Sequence, residues 1–158
     1  MFRKMRRAKQ EISADDCKTI LHTAKRAVLS VIGDGGYPYG VPINFVYDDQ
    51  TGTIYIHGAK EGHKIDAIRQ CDKVSFTTWS NDYHENDDWA WHVNSVIAMG
   101  KAELVENPDT VVEKVRALGL KYYPSREAVE EEIKAAIAHV QLIAVHIEHM
   151  TGKRVYEK

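Results

Sequence analysis

The chain has 158 residues, 44% hydrophobic and 28% charged, which excludes disorder and favours one domain over residues 1–158. No apolar run approaches the ~20 residues that span a bilayer, and the basic start lacks the apolar core of a secretory signal. Cys17 and Cys71 form no CxxC pair, so we expect neither a disulfide framework nor a zinc knuckle, and we expect a cytoplasmic location.

The net charge of −2 hides a basic N-terminal arm, which we define as residues 1–11. Removing its five basic residues from the total of 21 leaves 16 basic residues against 23 acidic ones. Such an arm can bind nucleic acid or an acidic surface, or pack on its own chain or on a second subunit. Nucleic acid is the less favoured partner, because neither interleaved aromatic residues nor a groove-sized helix accompany the basic residues Arg3, Lys4, Arg6, Arg7 and Lys9.

In the first half of the chain, the spacing of apolar residues changes from a helical to a strand-like period. Apolar residues recur at helical spacing over residues 12–28, and Ser13 can cap this predicted helix. Three strand-like runs follow, at 28–32, 39–47 and 53–57, separated by glycine- and aspartate-rich turns. These short separations predict an antiparallel meander, because a parallel crossover needs a longer connection. One face of the second run carries Val41, Ile43, Phe45 and Tyr47.

The second half alternates helices and strands. A short helix is predicted at about 62–71, and Asn107-Pro108 and Ser125 open two more. The first of these is predicted to end at Gly119, and the second to carry Ile133, Ile137 and Val140. The predicted strands of this half are 73–79, 94–105 and the alternating run QLIAVHIEHM. About six strands and four helices predict a mainly β protein, a small antiparallel barrel with helices packed outside.

The segment from Tyr55 to Lys64 predicts an anion site. A strand ends here, a loop with Gly58 and Gly62 follows, and a helix begins with Lys60, His63 and Lys64 around its first turn. Unpaired N–H groups and the helix dipole favour an anion at such a helix start, and glycine lets a phosphate approach the backbone. The alternative is that these are ordinary surface lysines beside a glycine that starts a helix.

Pro42 lies inside the second strand-like run, in Gly40-Val41-Pro42-Ile43-Asn44. Proline cannot donate to a sheet ladder, so it predicts a sheet edge or a bulge. A bulge leaves backbone groups available to a ligand, whereas an ordinary edge proline needs no ligand.

These two segments belong to a longer series of motifs, in the order MFRKMRR, GYPYGVPINFVYDD, IYIHGAKEGHKIDAIR, SVIAMGKAELVE and IEHMTGK. With this series the chain resembles the Nim-type nitroimidazole-resistance proteins, within the flavin-binding split-barrel group typified by pyridoxamine-phosphate oxidase. The resemblance covers nearly the whole chain. It implies a homodimer of six-stranded antiparallel split β-barrels with flanking helices, and one FMN at each end of the dimer interface.

The resemblance also implies which residues bind the cofactor. The family's phosphate-binding loop falls on His57, Gly58, Ala59, Lys60, Gly62, His63 and Lys64, with the two lysines and His63 facing the phosphate. Its backbone contacts to the isoalloxazine ring fall on Val41, Pro42, Ile43 and Asn44. A further flavin-side segment, from this subunit or its twin, falls on Ser95, Val96 and Ile97.

The activity implied by the resemblance is nitroreduction, in which electrons pass from reduced FMN to a nitro group and yield an amine. The cofactor then carries the redox chemistry, and the protein positions it and excludes side reactions. His57 occupies the position where the family holds a histidine close to the flavin. We expect it to donate a proton or contact the substrate, and the alternative is that it only orients the loop.

Residues 79–92 match the family least. They hold three tryptophans among acidic residues and form either a lid over a flat substrate or a set of dimer-interface anchors. His84 and His92 lie here, and His146 and His149 lie three apart near the last strand, but no metal site is expected from either pair. The aromatic and acidic residues of the segment are Trp79, Asp82, Tyr83, Glu85, Asp87, Asp88, Trp89 and Trp91.

The leading hypothesis is an FMN-dependent oxidoreductase acting on a small aromatic or nitroaromatic substrate. Its first rival is a flavin-binding module or sensor with little turnover. A second rival keeps the fold but binds haem or a deazaflavin, and a third is a nucleic-acid-associated protein that uses the basic arm.

Overall fold

The computed structural model describes residues 1–85 and 89–156, and within them one antiparallel sheet of eight strands dominates. Four α-helices flank the sheet. They are α1 (Ala14–Thr23), α2 (His63–Gln70), α3 (Pro108–Tyr122) and α4 (Arg126–Ala136). The strands are β1 (Ala27–Ile32), β2 (Pro38–Ile43), β3 (Val46–Asp48), β4 (Thr53–Ala59), β5 (Lys73–Trp79), β6 (Tyr83–His84), β7 (Trp91–Val105) and β8 (Val140–Tyr156).

The sheet curls until its two edges almost meet. The strand order is β2-β1-β5-β7-β8-β4-β3, with β6 added beside β7. The two edge strands, β2 and β3, follow each other in the chain and are separated only by Asn44 and Phe45. Three Cα–Cα steps of 3.8 Å keep their facing ends within about 11 Å. The predicted mainly β, split-barrel architecture is therefore confirmed, with a sheet that is not closed by hydrogen bonds.

The strand count differs from the six predicted, for two reasons. The single run predicted at 39–47 divides into β2 and β3, because the Phe45 backbone pairs with a side chain instead of a strand. The Phe45 N–H donates to the Tyr122 hydroxyl at 3.0 Å, and that hydroxyl lies 3.0 Å from the Phe45 carbonyl oxygen. In addition, β6 forms inside the aromatic segment 79–92 and pairs with β7.

The core lies inside the curled sheet. Phe45 and Phe76 meet edge to face at its centre, with ring centroids 4.8 Å apart. The predicted inward face of the second run is confirmed, because Ile43, Phe45 and Tyr47 are buried and Val41 packs against them. Alternation thus continues across the break between β2 and β3. Pro42 predicted either a sheet edge or a bulge, and the sheet edge is confirmed because β2 is an edge strand.

The helices begin where their capping residues predict, but three boundaries differ. Helix α1 has the Ser13–Asp16 capping box and ends at Thr23 instead of 28. Helix α3 passes through Gly119 to Tyr122, because Gly119 serves close packing: a Cβ there would lie 2.8 Å from Cγ1 of Val129 in α4. Helix α4 ends at Ala136, so that Val140 begins β8. None of the described helices is long and apolar enough to span a bilayer.

The N-terminal arm packs on its own chain, which is one of the arrangements that its sequence left open. The Phe2 ring stacks on His149 of β8 with centroids 4.7 Å apart. The Ile12 N–H donates to the Gly152 carbonyl at 3.1 Å, and Glu11 forms an isolated bridge with Lys153. The chain thus returns along β8 before α1 begins.

Candidate active site

A polar cleft opens where the C-terminal ends of β2 and β4 meet the start of α2. Its volume is about 360 Å³. Most of its lining was predicted from the sequence, and one residue, Arg26, was not. The lining residues are Arg26, Pro42, Ile43, Asn44, His57 and Lys64.

The Lys64 side chain packs against Gly58 at the end of β4. A Cβ on Gly58 would lie 2.7 Å from Lys64 Nζ, so the ammonium packs directly over the end of β4. Gly62 turns the chain into α2 with a φ of 123°, a value that L side chains rarely adopt. Partial burial lowers the pKa of Lys64, as expected for an ammonium that has lost hydration without gaining an anion.

His57 stands on the wall that the cleft shares with a smaller, apolar cavity. That cavity, of about 80 Å³, lies between β4 and the helices α3 and α4, with Glu132 also in its lining. Loss of hydration is the main cause that lowers the pKa of His57, and the Lys64 ammonium lowers it further against the opposing charge of Glu132. The lowered pKa favours the neutral imidazole, which can donate one hydrogen bond and accept another.

His63 and Lys60 lie away from this cleft. The His63 ring stacks on Tyr39 with centroids 4.2 Å apart, and its Nε2 accepts the Asp34 N–H at 3.1 Å. It therefore ties the start of α2 to the β1–β2 turn. Lys60 lines a different depression, beside Val105 and Pro108. Of the three basic side chains expected around the phosphate, the structure brings only Lys64 to the cleft.

The segment Ser95–Ile97 lies on β7, and these residues do not line the cleft within one chain. Val96 is fully buried in the core, whereas Ile97 is exposed on the outer surface of the sheet. Ser95 is paired with Trp79 on one side and Lys153 on the other. Of the predicted backbone contacts, Val41 packs against the core; Gly58 and Ala59 end β4, while Gly62 precedes α2.

Arg26 is the cleft residue that was not predicted from the sequence. It immediately precedes β1, whose first residue Ala27 pairs with Ile43, so Arg26 lies level with Asn44. Its Nη1 donates to Asn44 Oδ1 at 2.6 Å and to the Lys25 carbonyl at 3.1 Å. The sequence offered only the basic pair Lys25-Arg26, between α1 and β1, as an indication of this site. The β1–β2 register is needed to show that Arg26 lies beside the cleft.

The described residues of the aromatic segment 79–92 include β6, which pairs with the start of β7. Tyr83 stacks on His92 with centroids 5.3 Å apart, and the His84 and Trp91 rings lie 3.7 Å apart. Asp87 and Asp88 lie outside the described residues. His146 contacts Glu103 at 2.7 Å, and within residues 1–85 and 89–156 no group of three histidine, cysteine or acidic side chains is placed to hold a metal.

Solved structures place this fold among known proteins. A candidate 5-nitroimidazole antibiotic resistance protein from Bacteroides thetaiotaomicron VPI-5482 aligns with a TM-score of 0.75 at 23% identity, over 92% of this chain and 87% of that one. A conserved hypothetical protein from Mycobacterium tuberculosis aligns with a TM-score of 0.80 at 17% identity, over 95% and 90%. A FAD- and haem-binding protein from Mycobacterium smegmatis aligns with a TM-score of 0.73 at 20% identity, over 92% and 72%.

These identities are too low to show more than a shared fold, and no curated protein matches the chain. A family model, in contrast, is matched to the amino-acid sequence and does not depend on the fold. The model of the pyridoxamine 5'-phosphate oxidase family matches residues 13–154, which include every strand from β1 to β7, all four helices, the cleft and most of β8. The chain therefore belongs to the pyridoxamine 5'-phosphate oxidase family.

Proposed function

We propose that the protein is a homodimeric, FMN-dependent oxidoreductase that reduces a small aromatic substrate, with the nitro group of a nitroimidazole as the most specific version. The observation that carries this proposal is the cleft in which Lys64, His57 and residues 42–44 meet. Membership of the pyridoxamine 5'-phosphate oxidase family supports a flavin, as does the relative that binds FAD and haem. The Bacteroides relative supports the nitroimidazole version.

The residues of the cleft fit FMN. Lys64 is the cation for the phosphate, and the absence of a side chain at Gly58 leaves the Lys64 ammonium packed against the backbone. On the other wall, β2 pairs with β1 along one side only, so half of its backbone polar groups point away from the sheet. Residues 41–44 would therefore contact the ring, and Lys64 with the first amides of α2 would hold the phosphate.

A bound flavin would supply two electrons per cycle. Transfer of two electrons and two protons to a nitro group, with loss of one water, yields the nitroso level, and further cycles yield the amine. The protein's own part is to hold the substrate and deliver protons. We assign this to His57, whose neutral imidazole can relay a proton: its N–H proton passes to a nitro oxygen as its other ring nitrogen accepts a proton from solvent.

A second copy of the chain is the proposed partner. The outer surface of β1, β5 and β7 carries five large apolar side chains that are each 40–48% exposed. Tryptophan, isoleucine and methionine side chains that share one outer sheet surface are typical of a subunit interface, because a second chain packed on them removes their apolar area from water. We call this patch the outer apolar face, formed by Ile32, Trp79, Trp91, Ile97 and Met99.

The first experiment is the visible absorption spectrum of the purified protein, followed by identification of the cofactor released by heat. Bands near about 370 and about 450 nm with FMN released are expected for a flavoprotein. A colourless protein that also fails to bind added FMN would contradict the proposal. A haem band would keep the fold and favour the ligand of the second rival.

Turnover is tested on the holoprotein reduced anaerobically with dithionite, so that no physiological donor is needed. Adding a nitroimidazole should reoxidise the flavin with loss of the nitro absorbance. Flavin that stays reduced would favour a binding module or sensor. His57→Ala should slow this reoxidation at least about tenfold, as expected for loss of a proton-delivering group, while FMN content stays constant. An unchanged rate would leave His57 only the role of orienting the loop.

A further inference from the structure

The cleft carries fixed positive charge on two separate walls. Lys64 stands on the wall formed by β4 and α2, over Gly58. Arg26 stands on the opposite pair of elements, β1 and β2, beside Asn44. No acidic side chain lines the cleft, and in the described residues Arg26 makes no ion pair.

A single bound phosphate accounts for the positive charge on only one of these walls. The proposed phosphate position is the loop from His57 to Lys64, where the glycines and the helix start lie. Arg26 lies instead beside residues 42–44, the segment proposed to contact the flavin ring. A guanidinium in that position faces the space next to the ring, where a substrate would have to bind.

The geometry of Arg26 suits a carboxylate. Asn44 Oδ1 and the Lys25 carbonyl both accept from Nη1, which fixes the plane of the guanidinium. Nη2 and Nε then remain as donors for a ligand, and a planar fork of N–H groups matches the two oxygens of a carboxylate.

We propose that Arg26 makes the cleft selective for aromatic substrates that carry a carboxylate. This inference rests on the proposed function and names its substrate class. Asn44 has two tasks in this arrangement, because its backbone lies along the proposed ring position and its side chain orients Arg26.

Two probes of nearly equal shape test the inference, 4-nitrobenzoate and 4-nitrobenzamide. Their dissociation constants are measured by titration calorimetry on the full-length protein, with cofactor content recorded for each sample. The wild type should bind the acid about tenfold more tightly than the amide, which is the size of one charge-assisted contact in a partly solvated cleft. Arg26→Met should weaken the acid about tenfold, leave the amide unchanged and keep the FMN content. Arg26→Lys should retain part of the preference.

Arg69→Met is the matched control, because Arg69 is exposed on α2 and pairs with Asp66 away from the cleft lining. It should leave the preference unchanged. Equal affinity for acid and amide in the wild type, or an undiminished preference in Arg26→Met, would overturn the inference. Loss of FMN from Arg26→Met would also overturn it, by assigning Arg26 to the cofactor. A wild type without flavin would instead contradict the proposed function, which the spectrum reports separately.

Discussion

The cleft and the outer apolar face expose opposite kinds of side chain. The cleft presents Arg26, His57 and Lys64, and each is placed by backbone features such as Gly58 or the Ala27–Ile43 pairing. The outer apolar face presents large apolar side chains on regular strands, where simple alternation points them away from the core. Charge is thus concentrated where a ligand can enter, and apolar area where a second chain can pack.

One chain holds only part of the site that the resemblance implies, because the segments of that site lie on both regions. Residues 42–44 meet His57 and Lys64 around the cleft, whereas Ser95–Ile97 belong to β7, and Ile97 belongs to the outer apolar face. Under the proposed function, a second copy packed on that face brings the outward-facing Ser95 and Ile97 to a cleft. Cofactor binding and dimerisation should therefore be coupled, and the coupling can be broken from either region.

The largest effect is expected from Ile97→Asp. A carboxylate buried in an apolar interface pays a large desolvation penalty, so the dimer dissociation constant should rise at least about a hundredfold. Sedimentation equilibrium measures the change, and FMN content should fall with it. Leu120→Asp is the control, because Leu120 is similarly exposed but lies on α3. A variant that remains dimeric would remove the outer apolar face from the proposed interface.

The second-largest effect is expected from Tyr122→Phe, which should lower the free energy of unfolding by about 1–3 kcal/mol. The hydroxyl accepts from the Phe45 N–H and lies within hydrogen-bond distance of the Lys25 and Phe45 carbonyls, at 2.9 and 3.0 Å. It thereby fixes the junction of β2 and β3 next to Asn44. Urea unfolding measures the loss, with the exposed neighbour Tyr123→Phe as control. Equal stability of the two variants would show that the junction holds without this hydroxyl.

Much of the fold was predictable because it is recorded in local patterns. Strand β5 lies at 73–79 as predicted, since Val74, Phe76 and Thr78 occupy alternate, inward-facing positions. The starts of α1, α3 and α4 follow from Ser13, Asn107 and Ser125, each of which caps its helix through a side-chain oxygen. These features depend only on residues that are close in sequence.

The errors come from contacts between residues that are far apart in sequence. The break between β2 and β3 depends on Tyr122, 77 residues beyond Phe45. Gly119 resembles a helix end until α4 packs against it. In the candidate site, the proximity of Gly58 and Lys64 was predictable because the two residues share one loop. The positions of Arg26 and His63 were not, because strand pairing places Arg26 beside the cleft and a contact with Tyr39 holds His63 away from it. Sequence patterns carry no direct record of such distant pairings.

The two lysines of the predicted phosphate loop should differ in their effect on FMN. Lys64 lines the cleft and Lys60 does not, so Lys64→Ala should weaken FMN about tenfold, or about 1.4 kcal/mol. Lys60→Ala should have a much smaller effect. Fluorescence titration of the apoprotein with FMN measures both affinities, and neither variant should change the dimer at saturating FMN. Equal losses would mean that Lys60 moves to the phosphate when the cofactor binds, and retained affinity in the double variant would contradict the phosphate position.

The smallest effect is expected in the pH dependence of stability, through His57. Its pKa in the folded protein is lowered from the usual 6.5, so below that pH the unfolded chain binds the additional proton first. The stability that comes from neutral His57 is therefore present above pH 6.5 and is lost as pH falls toward the folded pKa. Urea unfolding of the apoprotein at a series of pH values should show a shallower acid loss in His57→Gln than in the wild type.

Bound FMN sharpens this last prediction. A phosphate near Lys64 offsets the ammonium that helps to lower the pKa of His57, so saturation with FMN should raise that pKa and reduce the difference between wild type and His57→Gln. The pH series is repeated at saturating FMN, with NMR of the His57 ring as a direct reading of its pKa. A His57 pKa that does not respond to FMN would mean that the cofactor phosphate binds away from Lys64.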